Sequence, residues 1–124
     1  MVTDLQEIES TLKNIMLECV PPLQVRKETP TLLELAGTRP AMQGKQKVDG
    51  FYFGSVVPKP KDIRLYFFPI YTHVDAFEDI PEGVRKCLKG KSCFHIKKLD
   101  EELERAFREM VQRGLELYRK DDLV

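Results

Sequence analysis

The sequence predicts an α+β domain: a mostly antiparallel sheet of about five strands, with an N-terminal and a C-terminal helix packed on one face. Three observations carry that prediction. Apolar residues recur at three- and four-residue steps at both ends of the chain, as in helices with one buried stripe. Between them lie short runs rich in Val, Ile, Phe and Tyr, bounded by Pro and Gly. The 124 residues are enough for one domain with its own core.

The first helix opens at Thr3-Asp4-Leu5-Gln6, where Thr3 and Gln6 stand at capping-box spacing. Leu5, Ile8, Leu12, Ile15, Met16 and Cys19 form its buried stripe, and Pro21-Pro22 stops it. Leu23 to Glu28 and Thr31 to Ala36 read as two short strands. Gly37 to Gly50 is polar and reads as a mobile loop. Phe51 to Val57 and Ile63 to Pro69 then form a hairpin around Pro58-Lys59-Pro60-Lys61-Asp62. Pairing Val57 with Ile63 sets Ser55 opposite Leu65 and Phe53 opposite Phe67. Phe51, Phe53, Val57, Ile63, Leu65 and Phe67 then face the core. Tyr52, Val56, Arg64, Tyr66 and Phe68 fall on the other face.

Asp75 to Lys89 reads as two short helical pieces divided near Pro81 and closed by Gly90. A strand follows from Ser92 to Lys97, with Cys93, His95 and Lys97 on one face. The last helix runs from about Asp100 to Lys120. Its inner stripe is Leu103, Phe107, Met110, Gly114 and Tyr118, joined by Ala106 and Val111. Arg119 and Lys120 suit its C-terminal dipole.

Twenty basic and twenty acidic residues balance, so no global field favours nucleic acid or an anionic membrane. The same neutrality lowers repulsion between copies, which favours a homodimer. Three cysteines without a CxxC pairing point to a reducing cytoplasm. No apolar run approaches the ~20 residues that span a bilayer.

Four constellations bear on function. Tyr52, Arg64, Tyr66, Phe68, Cys93 and His95 project from one sheet face if the last strand joins the hairpin. Aromatic rings mixed with an arginine and a histidine suit a small-molecule pocket or a protein interface. Lys89 and Lys91 flank Gly90 and could hold an anion with free backbone N–H groups. A phosphate loop is excluded, since position 85 is Arg85 rather than glycine and a strand follows. Asp75, Glu78, Asp79 and Glu82 stand at helical steps that line one face with hard oxygen ligands; acids there also simply complement a helix dipole. Cys87, Cys93, His95 and His73 offer thiolate and imidazole ligands, but at no common zinc spacing. No nucleophile stands beside a base and an orienting carboxylate, so no catalytic residue is assigned.

Three segments carry a family likeness: Arg64-Leu65-Tyr66-Phe67-Phe68-Pro69-Ile70-Tyr71, the run Lys89 to His95, and Leu99-Asp100-Glu101-Glu102-Leu103. With the element order, they resemble the YdhG-like family of small bacterial proteins, long classed as a domain of unknown function. Thr38 to Asp49 departs from that family's pattern. The resemblance implies a frataxin-like α+β sandwich, and iron as a cofactor to consider, with Asp75, Glu78, Asp79 and Glu82 as its candidate ligands. The expectation is a single cytoplasmic domain that binds a small molecule or protein partner, with iron binding as the alternative.

Overall fold

Helix α1 (Leu5–Leu17) is started by Asp4, whose carboxylate accepts the Gln6 backbone N–H at 3.3 Å. Asp4 therefore takes the capping place expected of Thr3; it stands one residue nearer the first turn. The computed structural model describes residues 2–124. Ile8, Leu12, Ile15 and Met16 are buried along one stripe of α1.

Strands β1 (Gln24–Thr29) and β2 (Leu32–Ala36) follow, and then β3 (Ala41–Gln43) and β4 (Gln46–Val48). The β3–β4 pair corrects the expected mobile loop. Gly44 adopts φ +63° at the turn, which glycine does without steric cost, and three residue pairs join the two strands. Strands β5 (Tyr52–Pro58) and β6 (Ile63–Phe67) form the hairpin read from the sequence. Short helices α2 (Pro69–Thr72) and α3 (Glu82–Arg85) flank a 3₁₀ turn at Val74–Phe77. Strands β7 (Leu88–Lys89) and β8 (Cys93–Ile96) then lead to α4 (Glu101–Lys120). Leu88 and Lys89, expected to end a helical piece, instead pair with Phe94 and Cys93 across the Gly90 turn.

The main sheet has six strands in the order β1-β2-β5-β6-β8-β7, and every neighbour is antiparallel. Helices α1 and α4 lie on its apolar face. Arg108 of α4 bonds Glu18 beyond the end of α1 at 3.0 and 3.1 Å.

The hairpin register differs by one residue from the expected one. Val56 faces Leu65, Gly54 faces Phe67, and Val57 faces Arg64. The turn is one residue shorter than expected, since Pro58 itself pairs with Ile63 and the Lys59 N–H donates to the Asp62 carbonyl at 2.9 Å; a bulge against β2 makes a second change. Ala36 pairs with Tyr52 while Leu35 pairs with Gly54, so Phe53 has no counterpart. Side-chain alternation restarts there. Val56 and Phe53 are both fully buried although they are three residues apart. Gly54 stands beneath Met16, where a Cβ would come within 2.9 Å of the Met16 methyl. Phe68 is also corrected, because its backbone is helical and β6 ends at Phe67.

Candidate functional site

The face of the sheet away from the helices is organised in cross-strand rows. Glu34, Ser55, Tyr66, Cys93 and Lys89 form one row, each opposite the next. Val57, Arg64 and His95 form another. Tyr52 belongs to this face too, since its hydroxyl lies 2.7 Å from the Ser55 hydroxyl, and Arg26 rests over its ring. Tyr52, Arg64, Tyr66, Cys93 and His95 thus share one surface. Phe68 sits at its end, with its ring 5.5 Å from that of Tyr52 and 5.6 Å from that of Phe51.

Asp62 anchors the far end of this surface. Its carboxylate is nearly buried and accepts from Arg64 Nε at 3.3 Å, while His95 Nδ1 lies at 3.6 Å. Burial pushes the Cys93 thiol up, partly offset by its hydrogen bond to Tyr66. Burial likewise raises Cys87, partly offset by Lys89 and Lys98. Both groups are held further into the thiol form, which argues against either as a thiolate nucleophile.

His95 faces more than the sheet. It also borders a cleft of about 670 Å³ at the β7–β8 edge, between α3 and the first turns of α4. Such a volume suits a small molecule. Cys87, whose Sγ donates to the Gly83 carbonyl at 3.5 Å, lines it beside His95. Lys86, Lys89, Lys97 and Lys98 also line the cleft, and among the described residues none of the four forms a salt bridge. Three carboxylates line the cleft as well: Asp62, which is bonded to Arg64, Asp100, which accepts the Leu103 backbone N–H at 2.7 Å, and Glu102. Four lysines against three carboxylates leave a small positive excess.

The sequence contains a signal for this cleft that overall neutrality conceals. From Gly83 to Leu99 there is no carboxylate, while Arg85, Lys86, Lys89, Lys91, Lys97 and Lys98 supply six cations. The pair Lys89 and Lys91 is separated by the fold. Gly90, at φ +82°, turns the chain so that Lys91 lies over the Tyr71 ring, 5.5 Å from its centre. It lines a second groove of about 420 Å³, with Ile70, Val74 and Leu88.

The expected carboxylate cluster is not gathered on one helical face. Asp75 lies in the 3₁₀ turn, Glu78 and Asp79 in the bend after it, and Glu82 opens the separate helix α3. Pro81 divides them, and Arg113 bonds Asp79 at 2.7 Å and holds its carboxyl below the usual range. His73 is likewise remote from the cysteines, bonded to Thr72 and to Asp121 near the end of α4. Among the described residues, no three His, Cys, Asp or Glu side chains form a group that could hold a metal ion. Among them, too, no helix is long and apolar enough to cross a membrane.

Scans of protein-family models, of curated proteins and of solved structures find no match to this chain.

Proposed function

We propose that this chain is a cytoplasmic binding module for a small anionic molecule, held in the cleft between α3, the β7–β8 edge and α4. One observation carries the reading. Four lysines from an acid-free stretch line one cleft and form no salt bridge among the described residues, while of its three carboxylates Asp62 is bonded to Arg64 and Asp100 caps α4. Charges left unpaired around a concave site raise the local concentration of a counter-ion. His95, with Asp62 behind it, supplies a hydrogen-bonding group on the sheet side. The neighbouring rows, Arg64 with His95 and Tyr66 with Cys93, continue the site across the sheet. Membership of the YdhG-like family, resting on the three segments quoted above, belongs to the same proposal.

The test is a titration of isotope-labelled protein with inorganic phosphate and pyrophosphate, followed by amide chemical shifts. Saturable shifts confined to residues 83–89, 95–98 and 100–106 are expected. Shifts that are absent, or centred on the Tyr71 and Lys91 groove, contradict the reading.

A further inference from the structure

Leu103 continues the inner stripe of α4, yet it is only half-buried where Phe107, Met110 and Val111 behind it are buried. The reason lies opposite. Gly83 of α3 faces Leu103 and has no side chain; a Cβ there would stand 3.4 Å from Leu103 Cδ1. Leu103, Ala106 and Pro81 form the apolar side of the cleft. The lysines and His95 supply its polar side. No Phe, Tyr or Trp lines it, so a nucleobase or flavin ring would find no stacking platform.

Resting on the anion reading above, we infer that the ligand is an organic anion with an aliphatic body, a carboxylate or phosphate ester, rather than a nucleotide. The charged group lies among the lysines and the chain lies against the apolar wall of Leu103 and Ala106, beside Gly83. Burial of a few methylenes against this wall gives such a ligand an advantage over the bare anion.

The experiment compares inorganic phosphate, octyl phosphate below its micelle concentration, and adenosine monophosphate, on the wild type and on Gly83→Leu. Octyl phosphate is expected to bind at least tenfold tighter than phosphate, and the nucleotide no tighter than phosphate. Gly83→Leu places a side chain over the Leu103 wall without removing a charge, so it should remove the octyl advantage and keep phosphate binding. An octyl advantage that survives Gly83→Leu, or a nucleotide equal to octyl phosphate, overturns the inference. Phosphate binding without any octyl advantage overturns it and leaves the anion reading standing. Loss of phosphate binding in the wild type removes both. A free metabolite and a lipid head group share this chemistry. Vesicles of phosphatidylcholine with phosphatidic acid separate them: sedimentation with the vesicles that octyl phosphate reverses assigns the lipid, and no sedimentation assigns the soluble anion.

Discussion

Gly54 shows how tightly single positions constrain this sheet. A Cβ at Gly54 would stand only 2.4 Å from the Tyr66 carbonyl oxygen of the neighbouring strand, as well as against Met16. A backbone atom cannot swing aside, so Gly54→Ala should destabilise the protein by about 2 kcal/mol, within the range for overpacked cores. Chemical denaturation checks this, and an unchanged midpoint would refute it. Burial of ionisable groups sets a second expectation. Burial raises Cys19 from an ordinary 9.0, and Tyr52 from 10.0, each to about 12. Folding therefore favours their protonated forms. That contribution is complete below the ordinary values and is lost as pH rises through about 12. Stability in urea should fall between pH 9 and 12, and Tyr52→Phe should make the fall shallower. A flat profile over that range would contradict the burial described here.

At the scale of elements, Asp100 decides where α4 begins. Its carboxylate accepts the Leu103 N–H, and Asp100→Ala should cost about 1 kcal/mol, seen as a melting temperature lower by roughly 4 °C. Asp100→Asn keeps a capping oxygen and should lose little. This start was legible in the sequence, because a good N-cap preceded an unbroken stripe through Phe107 and Tyr118. Both terminal helices and most strands were legible for the same reason. The hairpin register was not. The run of breakers suggests a five-residue turn, whereas Pro58 still pairs with Ile63, and Phe53, skipped in the pairing with β2, resets the alternation in a way that no local pattern records. Leu88 and Lys89 were hidden similarly, since two residues cannot display a period. Residues 41–48 were read as loop because their strands are short and polar, although Gly44 marked the turn.

For the whole molecule, the candidate site is assembled from segments that the sequence presents separately. His95 was singled out with the aromatic face and Lys89 with the turn, but their meeting at one cleft depends on β7 joining the sheet edge. The balance of twenty acids against twenty bases conceals the acid-free stretch from Gly83 to Leu99, because the compensating carboxylates lie elsewhere, several of them on α4. Folding brings four lysines of that stretch to one cleft, where none of them forms a salt bridge among the described residues. The most direct measurement is the affinity of pyrophosphate for the wild type and for Lys89→Gln with Lys97→Gln, at low and moderate salt, with Lys13→Gln as a control outside the cleft. Binding at one site, weakened about tenfold in the double variant and also by salt, is the predicted result; tenfold corresponds to about 1.4 kcal/mol. Equal affinity in the wild type and the double variant would contradict the account.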